Sequence, residues 1–234
     1  MNTGPGIFGP RTEAALKAFQ AKHKLPRTGV YDAKTAAALN KALASAPKPK
    51  TPSKPSSSSS VPLWWQGDSR WGKRTLGKKY TIHAAGCAMT ATAMAISKIS
   101  GKTINPAQLD HYLDTHHGYS GDALMWDVAA RSVGLHAAKV PWSLSTINAQ
   151  LAAGRPVVIG VNYKPGSGGG ANGTDHWVTI VGKTVKDGKT LYKVHDPGTG
   201  KVTWLKAVNG KLYSASGGGI RPYNSTGQLV VFRK

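Results

Sequence analysis

Residues 47–60 read Pro-Lys-Pro-Lys-Thr-Pro-Ser-Lys-Pro-Ser-Ser-Ser-Ser-Ser, a stretch with no apolar run to bury in a core. Such a segment is extended where proline dominates and flexible where serine does, so it behaves as a tether. It divides the 234-residue chain into a module at residues 1–46 and a domain at residues 61–234. The first is close to the size below which a hydrophobic core alone rarely sustains a fold, while the second is large enough for one. Two modules on a tether commonly separate targeting from action.

Hydrophobic residues make up 40% of the chain, which suits a globular protein. No run approaches the eighteen or so apolar residues of a spanning helix, and Met1 to Gly6 lacks the basic and apolar regions of a secretory signal. The protein is therefore expected to be made in a cytoplasm without a signal peptide. Lys and Arg number 31 against 10 acidic residues, a net charge of +21. That balance implies an extended polyanion as partner. The excess is 10 basic against 2 acidic residues up to Ser60 and 21 against 8 beyond it, so both parts carry it. No helix-turn-helix, zinc-ligand spacing or ribonucleoprotein signature accompanies the charge, which argues against a specific nucleic-acid partner. An acidic surface rich in phosphate polymers fits better.

The first module shows two helical patterns. Thr12 to Lys24 spaces Ala15, Leu16 and Phe19 on one face, Pro26-Arg27-Thr28-Gly29 makes a turn, and Asp32 caps a second helix. In the second part, helical signals precede strand signals. Cys87 to Ser100 is small or apolar on nearly every face and stops at Gly101, which predicts a buried helix. Asn105-Pro106 opens another helix, Asp122 precedes one ending near Gly134, and Ser143 precedes one ending at Gly154. Alternating β-branched segments then run over residues 156–163, 176–184, 190–196, 201–206 and 228–232, separated by Gly, Asp and Pro turns. A helical half followed by an antiparallel sheet is an α+β domain.

Cys87 is the only cysteine, so no internal disulfide is possible. A glycine turn leads it into the first turn of its helix, where the positive end of the helix dipole and unpaired amides favour a thiolate. His176 opens one strand, Asp196 closes the next, and Asp187-Gly188 marks the hairpin between them. The pair can face each other across adjacent strands, with the other ring nitrogen turned to Cys87, the arrangement in which a carboxylate orients a base that activates a nucleophile. A register one residue different would put the pair on opposite faces. Gln66 supplies an amide which, with the Cys87 backbone N–H, could stabilise an oxyanion. His111, His116 and His117 carry neither the His-Glu-x-x-His pattern nor cysteine partners, so neither a metal nor a cofactor is assigned. Gly166 to Gly173 directly precedes His176 and Gly217 to Gly219 follows later, a composition that suits a gating loop or a plain connection alike.

Two resemblances rest on these residues. Ile7-Phe8-Gly9-Pro10-Arg11-Thr12-Glu13-Ala14-Ala15, Phe19-Gln20, Leu25, Thr28-Gly29-Val30 and Asp32-Ala33-Lys34-Thr35 resemble the three-helix peptidoglycan-binding domain of cell-wall hydrolases, over about 40 residues. That family carries a further helix before the Gly-Ile-Phe-Gly-Pro segment, so the module at 1–46 is expected to lack its first helix. Val61-Pro62-Leu63, Gln66 to Trp71, Gly86-Cys87, Ala93-Met94, Gly154 to Val158, His176-Trp177-Val178 and His195-Asp196-Pro197 are similar to the papain-like cysteine peptidases related to bacteriocin double-glycine leader peptidases. The likeness is to the soluble branch of that family, found in phage lysins and bacterial wall enzymes. It implies a papain-like fold with Cys87 as nucleophile, His176 as base, Asp196 as its partner and Gln66 as oxyanion donor. Ala88 stands where many relatives carry glycine.

The expected protein is thus a monomeric phage-type endolysin with no cofactor, which cuts an amide in the stem peptide or cross-bridge of peptidoglycan after release from the host cytoplasm. Its partners are peptidoglycan and anionic wall polymers. An N-acetylmuramoyl-alanine amidase would use the same three side chains. A leader peptidase would need membrane or ATP-binding regions that are not seen here. A non-catalytic wall or polyanion binder is the alternative of another class.

Overall fold

The computed structural model describes residues 9–45, 60–162, 173–215 and 223–234. The tether falls almost wholly outside the described residues, as do the segment before Gly9, most of the glycine-rich stretch at 166–173, and 217–219. The chain divides into two compact units, residues 1–56 and 57–234.

In the first unit, α1 (Pro10–Lys22) and α2 (Ala33–Ser45) are joined by a turn built around one buried amide. Gln20 is fully buried on α1; its Nε2 donates to Thr28 Oγ1, the Val30 carbonyl and Thr35 Oγ1, and its Oε1 accepts from the Gly29 N–H at 2.9 Å. That bond requires Gly29 at φ 73°, a conformation that penalises any side chain. Asp32 caps α2 as its position suggests, accepting from the Thr35 N–H at 2.7 Å. Two helices, not three, lie among the described residues.

The second unit is α+β. Its helices are α3 (Ile82–Ala85), α4 (Cys87–Ser100), α5 (Pro106–Thr115), α6 (Trp126–Arg131) and α7 (Leu144–Ala152). Local chemistry accounts for their ends. Gly101 closes α4 at φ 75°, Asn105 and Gln108 form a reciprocal capping box on α5, and the Ser143 side chain accepts from the Thr146 N–H to start α7. Two short hairpins, β1 (Thr75–Leu76) with β2 (Tyr80–Thr81) and β3 (Tyr119–Ser120) with β4 (Ala123–Leu124), lie beside them. The main sheet contains β5 (His136–Val140), β6 (Val157–Asn162), β7 (His176–Lys186), β8 (Lys189–Asp196), β9 (Lys201–Val208), β10 (Lys211–Ser214) and β11 (Asn224–Arg233). Its order is β10-β9-β8-β7-β6-β11-β5, antiparallel throughout, and pairing of Tyr213 with Asn224 joins β10 to β11 and closes six strands into a barrel.

Three sequence expectations change. The sheet is a closed barrel where a plain antiparallel sheet was expected. It also recruits β5 from within the helical half, because β5 pairs with β11 at the far end of the chain. Asp122 does not start a helix: α6 begins at Trp126, and the Asp122 carboxylate accepts instead from the Lys78 and Lys79 amides at 2.9 and 2.8 Å. Gly121 at φ 66° turns the chain there into the β3–β4 hairpin.

The core has two compartments separated by the barrel wall. Val157, Ile159 and Val161 of β6 point inside with Val178, Ile180, Tyr192, Val194 and Leu205, and α7 lays Ile147 against them. Val158 of β6 and Val230 of β11 point outward into a second cluster, with Met89, Ala93 and Ile96 of α4. Coverage on both faces explains why β6 reads as a continuous apolar run instead of an alternating one. It also fixes α4 against the outside of β6 and β7, with Thr179 Oγ1 donating to the Ala91 carbonyl at 2.9 Å.

Candidate active site

Cys87 is the first residue of α4, half-buried, with Gly86 as the residue before it. A Cβ on Gly86 would stand 2.4 Å from the Ile82 carbonyl oxygen, so only glycine lets α3 run so tightly into α4. The tight junction puts the thiol at the amino end of α4. Burial pushes the Cys87 thiol up, but the hydrogen bond and charge of His176, together with the Trp177 and Ala88 backbone amides, outweigh it and hold the thiol below its ordinary value.

His176 is buried at the start of β7, and its Nε2 lies 2.8 Å from Asp196 Oδ1 at the end of β8. With Nε2 committed to the carboxylate, Nδ1 is the nitrogen that serves Cys87. Burial disfavours the imidazolium, yet the bonds to Asp196 and Cys87 and both their charges prevail and raise His176 to about 9. Asp196 is saturated with donors. Its Oδ1 also accepts from the Gly198 N–H at 2.8 Å, and its Oδ2 accepts from Thr199 Oγ1 at 2.7 Å and Tyr223 Oη at 2.6 Å. Burial pushes this carboxyl up, and the His176 bond and charge, then the two hydroxyl donors, bring it down to about 2. All three shifts run in the direction that favours a thiolate–imidazolium pair beside an ionised carboxylate.

The meeting of His176 with Asp196 depends on an irregularity. From the Asp187-Gly188 turn, pairing runs Lys186 to Lys189, Lys183 to Tyr192 and Gly182 to Lys193. Continued without interruption, that register would leave His176 and Asp196 on opposite faces of the hairpin. A bulge between Ile180 and Gly182 shifts it, so Ile180 meets Val194 and Thr179 meets His195. In the shifted register His176 falls opposite Gly198, and Asp196 becomes its diagonal neighbour on the same face. Gly198 leaves room for the ring: a Cβ there would stand 2.9 Å from His176 Cε1.

Gln66 is buried and lines the same cleft, of about 560 Å³, as Cys87 and His176. Its Nε2 donates to the His83 carbonyl at 2.7 Å, which leaves the second amide hydrogen to donate elsewhere. Its backbone N–H donates to the Pro197 carbonyl at 2.8 Å. His195, whose Nδ1 donates to the Pro62 carbonyl at 2.8 Å, holds the same segment further back. Burial, aided by the Lys193 charge, keeps His195 below its ordinary value, so it acts as a neutral strut. Trp126 and Trp177, with ring centroids 4.7 Å apart, form an aromatic wall of the cleft. Among the described residues no three His, Cys, Asp or Glu side chains converge as a metal site would require.

The structure thus brings Cys87, His176 and Gln66 to one cleft, with Asp196 buried and bonded to His176. It adds Tyr223 and Thr199 as donors to Asp196, and Gly198 as the gap that admits the ring. The model of the Peptidase_C39 like family matches residues 61–218. The chain belongs to that family. Residues 2–39 match the putative peptidoglycan binding domain. No curated protein matches the chain. The Peptidase_C39 like match stops before Tyr223 and β11, so one donor to Asp196 comes from beyond the matched span. The two family matches together support a peptidase that acts at the cell wall.

Proposed function

We propose that the chain is a peptidoglycan endopeptidase of the phage endolysin type, with a papain-like catalytic domain that cuts an amide in the stem peptide or cross-bridge. The observation that carries this reading is the buried His176–Asp196 pair, 2.8 Å apart, hydrogen-bonded through the ring to a thiol at a helix amino end on an open cleft. The Cys87 thiolate attacks the amide carbonyl. The oxyanion that forms is met by the Cys87 N–H, in the first turn of α4 where amides lack intrahelical acceptors, and by the free hydrogen of the Gln66 amide. The His176 imidazolium gives its proton to the leaving amine, a thioester remains, and water deprotonated by His176 hydrolyses it. Asp196 keeps the ring oriented and its charge balanced.

The first module retains the enzyme on peptidoglycan, and the enzyme acts as a monomer after a separate lysis machinery releases it. Digestion of purified peptidoglycan by wild type and Cys87→Ala, with mass spectrometry of the fragments, tests the reading. New amino and carboxyl ends within peptides are expected from the wild type alone. Release of intact peptides from sugar would make the enzyme an N-acetylmuramoyl-alanine amidase. Equal digestion by Cys87→Ala would remove the enzyme reading altogether.

A further inference from the structure

Lysines distant in sequence meet on the outside of the barrel. The even-numbered residues of β8, Tyr192 and Val194, point inward, so Lys189, Leu191 and Lys193 point out. Across the ladders, Lys189 pairs with Lys186, Leu191 with Thr184 and Lys206, Lys193 with Gly182 and Trp204, and Lys206 with Tyr213. Lys211, paired with Val208, extends the same face. Five lysines from four strands thus share a surface with Trp204 and Tyr213 between them. Lateral spacing is about 4.8 Å and the step along a strand is about 6.8 Å per outward residue.

Among the described residues no ion pair engages any of the five, and Asp187 lies out in the turn. Lys186 directly opposite Lys189 is a like-charge pairing, which costs stability unless an anion lies across it. The site chemistry makes no use of this face.

We propose that the outer face of β7, β8, β9 and β10 docks an extended phosphodiester polymer of the cell wall. This rests on the wall-acting reading above. A flexible chain with a phosphate at each repeat can lie along the lysine rows, while Trp204 and Tyr213 offer flat surfaces to its polyol or sugar units. The face belongs to a closed barrel and is convex, so a flexible chain can follow it where a stiff duplex cannot, which favours the polymer over duplex DNA.

The test compares full-length wild type with Lys186→Gln/Lys189→Gln/Lys193→Gln/Lys206→Gln and with the charge-matched control Lys73→Gln/Lys78→Gln/Lys102→Gln/Lys234→Gln. Co-sedimentation is measured with walls carrying their phosphodiester polymer and with walls stripped of it by hydrofluoric acid. The face variant should bind polymer-bearing walls about ten-fold more weakly at low salt, with a shallower salt dependence, and bind stripped walls like wild type. Its kcat and KM on soluble wall fragments should be unchanged, which also shows that it folds. Should it fail to fold, the hairpin-tip pair Lys186→Gln/Lys189→Gln should still show about a three-fold loss. Equal losses in the control, wild-type binding indifferent to stripping, or a loss confined to duplex DNA would each overturn the proposal. Absence of fragment hydrolysis by wild type would instead remove the enzyme reading and leave the binding result standing.

Discussion

Asp196→Asn isolates the charge of the carboxylate from its geometry. At Asp196, Oδ1 accepts two N–H groups, from His176 and Gly198, whereas Oδ2 faces two hydroxyls, Thr199 and Tyr223. Hydroxyls can turn and accept; N–H groups cannot. The asparagine amide is therefore forced to keep its oxygen toward His176 and to present its NH2 to Thr199 and Tyr223, and the ring stays where it is. What disappears is the charge. The rise of His176 from 6.5 to about 9 amounts to roughly 3 kcal/mol of preference for the imidazolium, at ~1.4 kcal/mol per pH unit. Asp196 and Cys87 supply it together against burial, so losing one charge should remove ~1.5 kcal/mol, about one pH unit and about ten-fold in the equilibrium constant for the ion pair. In the wild type, kcat/KM should fall as pH rises through about 9, where the imidazolium that protonates the leaving amine is lost. In Asp196→Asn that alkaline limb should move down by about one unit, and iodoacetamide labelling of Cys87 at neutral pH should slow in parallel. An unmoved limb with near-normal turnover would refute the argument that the carboxylate acts through His176. Acid stability offers a second readout. The folded value of Asp196, about 2 against 3.8, is depressed, so its contribution of roughly 2 kcal/mol is present above pH ~4 and is lost as pH falls through about 2. The variant should lack that acid-dependent part.

Gln66→Ala should lower kcat about a hundred-fold and leave KM nearly unchanged, because an oxyanion donor acts mainly in the transition state; a rise in KM alone would place Gln66 in substrate binding. Tyr223→Phe removes a 2.6 Å donor from a buried carboxylate and should cost about 1.5–3 kcal/mol by urea unfolding. Because that donor lowers Asp196, acid unfolding of this variant should begin at higher pH. Gly198→Ala places a Cβ 2.9 Å from His176 Cε1 and should cut kcat/KM about ten-fold through a displaced ring, with far-ultraviolet circular dichroism unchanged; full activity would show that the ring has slack.

What could be read in the sequence was chemistry confined to neighbours. The start of α4 at Cys87 and its stop at Gly101, the Asn105 and Ser143 caps, the Asp32 cap and the Asp187-Gly188 turn each need only a few adjacent residues. β5 escaped because its segment, His-Ala-Ala-Lys-Val, has little strand character of its own and acquires it from β11. Closure of the barrel escaped for the same reason, since it rests on Tyr213 meeting Asn224. Asp122 misled because an aspartate suits a helix cap and a loop equally, and only the distant Lys78 and Lys79 amides decide between them.

The site shows how local and distant information combine. Residue types sufficed to nominate Cys87, His176, Asp196 and Gln66, because a nucleophile, base, acid and amide are scarce and chemically distinct. Whether His176 and Asp196 could touch was a question of parity along two strands, and counting from their shared turn gives the wrong parity. One extra residue near Val181 reverses it, and no turn or cap chemistry announces that residue. The bulge is set by demands on either side of it. Near the turn, the ladder is free to follow the two-residue hairpin; beyond it, Val178, Ile180 and Val194 must face the barrel interior while Thr179 reaches the Ala91 carbonyl of α4. Packing of α4 on the barrel therefore fixes the register at the His176 end, and the mismatch with the turn is absorbed between the two. The same packing that buries the helix behind Cys87 thus decides which face of β7 His176 occupies, so thiol and imidazole are positioned by one interface and cannot drift apart independently.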